Sequence, residues 1–485
     1  MEQQRSVKFN YFLNVSRVSL GILIGFFTMP YVNRTIGVDG LGKVEYVNSI
    51  ITYFVLFSGL GIPMYGIRET ANKRNDLKAR SKLVIELVII LLITTVISYV
   101  ILFFVLQISS LQSLKTLIII MSSMIFFTNL GVEWFYQGIE DQKYITVRYF
   151  AVRIIAFILL FIFVTSKNDY LYYGVIMVLS TVGGNLFNLI NLRKHIQFKG
   201  INIYDLNFKQ HFQPLFTIFI ASISISIYVQ LDNLMLGMLK GSESVGYYSM
   251  ANKLIRFLLV PITTLGVVLL PRLSFLAHND VDQYYCYLKK VLNYFLIISF
   301  PFAVLFLMLA KDFTLVMGGK EFLSSVLTMQ ILSPIIIIVS IAYFLGYLVL
   351  YPQGKEKIYT IAVIFSAIFS VLFNLYLIPK FSHIGAAIVA VSSEFLGVVI
   401  IVFLYRKELV QLKLLNKSLF WFFISSTIMA ILIYFVSLFD FSSLLNLMIS
   451  STVGLLGFLI SLYLFKEVTL MEIIEEVKNR LQNIS

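Results

Sequence analysis

Six ionisable residues, Arg17, Arg153, Asp232, Lys253, Arg256 and Glu394, stand inside long apolar runs of the 485-residue sequence. A charge at membrane depth costs several kcal/mol on insertion scales, about 2.5–3.5 for arginine or aspartate, and it faces a cavity or a partner. Arg17 and Arg153 each sit about seven residues into a run, roughly 10 Å deep at about 1.5 Å per residue, within reach of the surface for a long side chain. Lys253 and Arg256 are three residues apart and share a helix face. Arg256 and Glu394 fall near the middle of their runs, and Asp232 is nearer an end. Signatures of covalent chemistry are missing. There is one cysteine, Cys286, so neither a disulfide framework nor a Cys-rich metal site can be built. The four histidines are scattered without an HExxH spacing, and no GxSxG, P-loop or strand-linked GxGxxG occurs. The residues able to act are therefore ion-binding or ion-pairing groups, and no catalytic residue is assigned.

The elements that must hold them are membrane helices. The chain is 59% hydrophobic and 13% charged, with a mean hydropathy of +0.88, against about a quarter charged in soluble domains. Apolar runs of some twenty residues, enough to cross ~30 Å of hydrocarbon, recur throughout. They predict fourteen spans, near 10–31, 43–66, 83–106, 114–136, 144–165, 170–191, 213–238, 246–270, 289–310, 325–349, 357–378, 384–405, 418–439 and 443–465. Alternation at strand spacing is absent, which argues against a β-barrel. The first run lacks a small-residue cleavage site and is expected to be retained. The tail after Lys466 predicts a short amphipathic helix.

With the N-terminus placed in the cytoplasm, the inner segments carry 26 Lys and Arg and the outer segments 8. The excess of basic residues on one side orients the chain, with both termini expected in the cytoplasm. The formal charge of +13 is then explained by loops facing anionic lipid and calls for no nucleic acid.

A shift of 204 residues aligns Gly37 with Gly241, Gly42 with Gly246, Asn48 with Asn252 and Arg68 with Arg272. "YQGIE" at 136–140 recurs as "PQGKE" at 352–356, a shift of 216. Two six-helix lobes of like orientation follow, related by a pseudo-two-fold axis along the membrane normal, with two C-terminal helices added. The expected divisions are 1–200, 201–410 and 411–485. Within the duplicated turn, Gly138 and Gly354 are expected to supply a positive φ. Trp134 and Tyr136 suit the headgroup belt. Glu133, Gln137, Gly138 and Glu140 form a candidate cytoplasmic gate, with Glu133 and Glu140 able to pair with Arg148 or the basic segment 67–82. Glu86 and Arg148, close to span ends, are expected to reach the interface as structural residues.

"LFSGLGIPMYGIRETANKRND" (56–76), "EWFYQGIEDQKYITVR" (133–148) and "QLDNLMLGMLKGSESVGYYSMANK…LLPRLS" (230–274) resemble segments of Wzx-type oligosaccharide flippases. These belong to the multidrug/oligosaccharidyl-lipid/polysaccharide (MOP) exporter superfamily. The resemblance covers spans 1–8 closely and the remainder through topology. It implies fourteen helices, two lobes around a central cavity and alternating access without ATP hydrolysis. The implied cargo is an undecaprenyl-diphosphate-linked oligosaccharide for capsule or a similar surface polysaccharide, moved from the inner to the outer leaflet.

Under that resemblance Arg17, Arg153, Lys253 and Arg256 become candidate diphosphate ligands, because a guanidinium presents a fork matched to phosphate oxygens. Asp232 and Glu394 become candidates for Na⁺ or H⁺ coupling; internal pairing of Arg256 with either is the structural alternative. No cofactor is required. Expected partners are the lipid-linked substrate, membrane lipid and a polysaccharide polymerase, around a monomeric flippase. A cation-coupled multidrug antiporter of the same superfamily should favour carboxylates in its cavity, whereas cations lead here. A membrane-embedded polymerase or ligase should carry a sizeable outer loop, and the outer loops are short.

Overall fold

The computed structural model describes residues 7–197, 202–412 and 417–482. All regular structure among them is helical. The last three residues of the predicted tail lie outside the described residues. The chain divides into two compact units, Met1–Gly246 and Tyr247–Ser485. Among the described residues, ten helices are long and apolar enough to cross a membrane, or eleven if one bent pair counts as a span.

The first unit holds α1 (Val7–Gly59), α2 (Ile62–Asn72), α3 (Leu77–Val105), α4 (Lys115–Leu130), α5 (Glu133–Gly138), α6 (Gln142–Phe163), α7 (Tyr170–Leu192), α8 (Lys209–Lys240) and the first turn of α9 (Ser242–Asn279). The second holds the rest of α9, then α10 (Val281–Met308), α11 (Ala310–Met317), α12 (Ser325–Leu332), α13 (Ile335–Tyr343), α14 (Glu356–Leu404), α15 (Arg406–Leu412), α16 (Lys417–Ser437), α17 (Ser443–Leu464) and α18 (Val468–Gln482). The predicted tail is the helix α18.

Two pairs of expected spans run on without a loop between them. α1 is broken only at Gly37 (φ 69°, ψ −175°) and α14 only at Ser382 (φ 53°, ψ −134°). One residue outside the helical region is enough to separate two legs, so a loop is unnecessary. The Gly37 conformation is accessible essentially to glycine alone. Its repeat mate Gly241 adopts nearly the same one, φ 86° and ψ 179°.

The repeat also appears as a packing contact. A Cβ on Gly42 would lie 1.8 Å from the Ser242 carbonyl oxygen, and one on Gly246 would lie 2.2 Å from that of Val38. Val38 corresponds to Ser242 under the 204-residue shift, so the two contacts are exchanged by the repeat, as in a contact across a two-fold axis. Asp39 fastens this approach. It accepts from Ser242 Oγ at 2.5 Å and pairs with Lys43 Nζ at 2.6 Å.

The repeat is imperfect further on. α1 stops at Gly59, and Leu60 (φ 44°) and Gly61 (φ 75°) turn the chain into α2. The corresponding part of α9 runs straight through, with Pro261 and Pro271 inside it. The extra helix α2 gives the first unit a surface against which α5 packs. Gly66 leaves room for the Trp134 indole, since a Cβ there would stand 2.5 Å from the ring. Gly138 leaves room for Thr70, at 2.6 Å. Trp134, Phe135 and Tyr136 join Tyr65, Leu83, Leu87 and Leu215 in one buried cluster. Tyr136 is 0% and Trp134 4% exposed, so the expected headgroup belt is in fact core. Burial of the two rings against α2 outweighs an interfacial position, and the Tyr136 hydroxyl donates to the Asn188 carbonyl at 2.8 Å.

The duplicated turn is present, in a different register. Asp141 N–H bonds the Tyr136 carbonyl and Lys355 N–H that of Leu350, each at 3.0 Å. These are six-to-one bonds that close a helix end around a left-handed residue. That residue is Gly354 (φ 67°) in the second unit and Glu140 (φ 60°) in the first. The expectation for Gly354 holds and that for Gly138 does not: the turns correspond at a shift of 214, and Gly138 is helical, kept small by Thr70.

In the second unit, Tyr284 donates to the carbonyls of Leu348 and Val349, in the π-helical segment that follows α13. α16 and α17 approach at Gly457, where a Cβ would meet Leu432 at 2.1 Å. Lys290 on α10 pairs with Glu472 on α18 at 3.1 Å.

Candidate functional site

α4 ends at Gly131, and Val132 takes a left-handed conformation (φ 40°) that starts α5 in a new direction. The first residue of α5 is Glu133. Its carboxylate accepts from Arg17 Nη1 on α1 at 3.3 Å and from Arg148 Nη2 on α6 at 3.1 Å. Gln137, one turn on, donates to the same Oε1 at 3.4 Å. Arg17 also donates to Asn14 at 2.9 Å. Three sequence-predicted residues, Arg17, Glu133 and Gln137, thus meet, and Arg17 is held by a carboxylate.

Arg148 joins them as a fourth member. Its side chain is 8% exposed. Nη1 donates to the Gly184 carbonyl at 3.0 Å and to Asn185 Oδ1 at 3.4 Å. Gly184 admits it, because a Cβ there would stand 2.9 Å from Nε. The expectation that Arg148 and Glu86 reach the interface is corrected: both are buried, at 9% and 1% exposure, because protein partners replace water around each. Arg148 Nε is buried and has no hydrogen-bond partner among the described residues. A buried donor left unmade costs about 1–3 kcal/mol.

Arg153 lies further along α6 with its guanidinium 5.1 Å from the Tyr149 ring centre, and its Nε is also buried without a partner among the described residues. Tyr149 fits because α1 has glycine at position 21, where a Cβ would fall 2.3 Å from the tyrosine oxygen. α1 and α6 therefore bring Arg17 and Arg148 to the carboxylate of Glu133, a net positive site, with Arg153 further along α6. Glu140 pairs instead with Arg74 at 3.0 Å, with 61% and 35% exposure; a pair that open is worth about 0–1 kcal/mol.

The other predicted residues lie on α8, α9 and α14. Asp232 is buried on α8, 7% exposed. In the second unit, Lys253 is exposed and Arg256 half-buried on α9, and Glu394 is half-buried on α14. Arg256 Nε donates to Asn252 Oδ1 at 3.0 Å, one turn earlier on the same helix. Asn252 is thus the neutral contact of Arg256 within α9.

Sequence reasoning also missed a buried polar chain. His211 Nε2 lies 2.8 Å from Glu86 Oε2 and Nδ1 lies 2.7 Å from the Tyr65 hydroxyl. Glu86 further accepts from Asn207 N–H at 2.7 Å and Gln210 at 3.2 Å. It ties α2, α3 and the start of α8 together. Its residues are 125 and 146 positions apart, so only the tertiary fold could reveal it. Among the described residues no cluster of three or more His, Cys, Asp or Glu could hold a metal.

Comparison with known proteins bears on the family and the fold. The family model for "Polysaccharide biosynthesis protein" matches residues 8–277, and the MatE model matches residues 217–376. An Escherichia coli K12 protein named "Putative O-antigen transporter" is 24% identical over 377 residues, covering 77% of this chain and 90% of that protein. A Shigella dysenteriae protein of the same name is 24% identical over 390 residues, covering 79% and 95%. Among solved structures, the lipid II flippase MurJ in an inward closed conformation superposes with a TM-score of 0.72 at 17% identity, over 94% of this chain and 98% of that one. An inward-facing multidrug resistance MATE transporter of the MOP superfamily gives 0.59 at 12% identity, over 82% and 95%. The chain belongs to the polysaccharide biosynthesis protein family, within the Wzx-type flippases of the MOP superfamily that its motifs resemble.

Proposed function

We propose that this protein translocates undecaprenyl-diphosphate-linked oligosaccharide repeat units from the inner to the outer leaflet of the bacterial cytoplasmic membrane, for capsule or similar polysaccharide assembly. The observation that carries the reading is the net positive site on α1 and α6, where Arg17 and Arg148 share the carboxylate of Glu133 and Arg153 follows further along α6. A diphosphate leaving the headgroup region loses hydration, and arginine forks replace it. The polyprenyl tail stays in hydrocarbon and the sugars in water. The protein acts as a transporter and not an enzyme, by alternating access. The names of the O-antigen transporters and of the lipid II flippase support a polysaccharide-unit cargo.

The breaks at Gly37 and Ser382 support a count of fourteen crossings, since each splits one long helix into two legs. Twelve of these form two lobes, with α16 and α17 added and both termini cytoplasmic. Lys253 and Arg256 remain candidate diphosphate ligands on α9. Asp232 and Glu394 are the candidates for Na⁺ or H⁺ coupling, and a polysaccharide polymerase receives the product from a monomeric flippase. Deleting the gene should leave lipid-linked oligosaccharide on the inner leaflet, measured by access of an impermeant sugar-modifying reagent in sealed vesicles of known orientation. Normal outer-leaflet exposure in the deletion strain would defeat the proposal.

A further inference from the structure

We infer that Glu133 occupies a phosphoryl-binding site formed by Arg17 and Arg148, and that the arriving substrate displaces it. The inference rests on the diphosphate reading above and adds to it a ligand, Arg148, and a resident competitor, Glu133.

The hydrogen bonding of Arg148 is the starting point. Nε and Nη2 form the side edge of the guanidinium, the edge that takes two oxygens of one phosphoryl group in a fork. Glu133 Oε2 occupies Nη2 at 3.1 Å. Nε beside it is buried and empty among the described residues. Nη1 on the far edge is committed to the Gly184 carbonyl and Asn185. Arg148 is therefore fixed from behind and presents a fork that is only half used. Arg17 meets the other oxygen of the same carboxylate through one nitrogen, at 3.3 Å. Glu133 thus spreads one negative charge over two cations with one contact to each.

A diphosphate can do better on both counts. It carries more charge and more acceptor oxygens, so it can fill the Arg148 fork and still reach Arg17. Glu133 is 36% exposed, so its carboxylate can move out to water when displaced, whereas Arg148 cannot. In the empty protein the carboxylate offsets the cost of burying two guanidinia. In the loaded protein its charge repels the bound phosphoryl group and favours release. The site thereby avoids holding its cargo too tightly to pass it on.

The test uses the full-length protein in nanodiscs, with farnesyl diphosphate, inorganic diphosphate and farnesol as probes. Glu133→Gln removes the competing charge, so both diphosphates should bind about tenfold more tightly, equivalent to about 1.4 kcal/mol, with farnesol unchanged. Affinity equal to or weaker than wild type in a variant that melts normally would overturn the inference and leave the transport proposal standing. Tighter binding of inorganic diphosphate without binding of farnesyl diphosphate by either protein would support the anion site and defeat the lipid-diphosphate reading. Should the glutamine variant fail to accumulate, Glu133→Asp keeps the charge and shortens its reach by one methylene. It should also tighten both diphosphates, and unchanged or weaker binding would again overturn the inference. Arg148→Lys added to Glu133→Gln should abolish the gain, because an ammonium offers no fork; a gain retained there would rule out Arg148 as the ligand.

Discussion

At the scale of single residues, the intramembrane cations differ in what holds them. Arg17 and Arg148 share Glu133, Arg153 lies over Tyr149, and Arg256 rests on Asn252. The last contact is neutral, which gives Arg256 a distinct expected behaviour. Arg256→Lys should export glycan partially, keeping charge without the fork. Arg256→Ala should export little while accumulating at wild-type abundance, because removing an intramembrane charge lowers insertion cost. Adding Glu394→Ala should not rescue it. Quantitative membrane blots together with glycan export decide the matter, and restored export in the double variant would return Arg256 to a packing role.

At the scale of elements, glycines decide where helices touch and turn. Gly42→Ala would set a Cβ 1.8 Å from the Ser242 carbonyl, and backbone cannot give way as a side-chain end can. We expect a loss of roughly 1–3 kcal/mol in chemical denaturation, together with loss of export. The two copies of the duplicated turn give opposite expectations. Gly354→Ala places a Cβ at φ 67° and should destabilise by about 1 kcal/mol. Glu140→Gly relieves φ 60° at the matched position and should stabilise by about 0.5 kcal/mol after loss of the exposed Arg74 pair. Gly138→Ala should also be costly, for a separate reason, its approach to Thr70.

At the scale of the whole molecule, the basic-residue asymmetry carries a topological expectation. Single cysteines at Ser242 and Ser382 should react with impermeant maleimides added to intact cells, and those at Asn75 and Asn202 only after permeabilisation. Reversed labelling would invert the membrane orientation and place the Glu133 site on the outer side.

Much of this protein was legible in its sequence because the bilayer constrains composition so strongly. Runs of twenty apolar residues can satisfy their backbone in lipid only as helices, so the all-helical class followed directly. The Gly37–Gly241 correspondence was legible as well, since one backbone conformation open to glycine alone recurs in both copies. Cations inside apolar runs marked Arg17, Arg153, Lys253 and Arg256 for attention because each is costly there. Tertiary structure alone decided their partners. Glu133 reaches Arg17 across 116 positions, a pairing that no spacing rule encodes. The burial of Trp134 and Tyr136 depended on α2, an extra helix that the repeat does not predict. Which residue of the turn goes left-handed depended on the glycine at 138 being needed elsewhere, to let Thr70 in. Hydropathy reports the solvent of a segment, but the identity of a neighbour is set by packing between segments distant in the chain, and at Glu133 that packing makes the site.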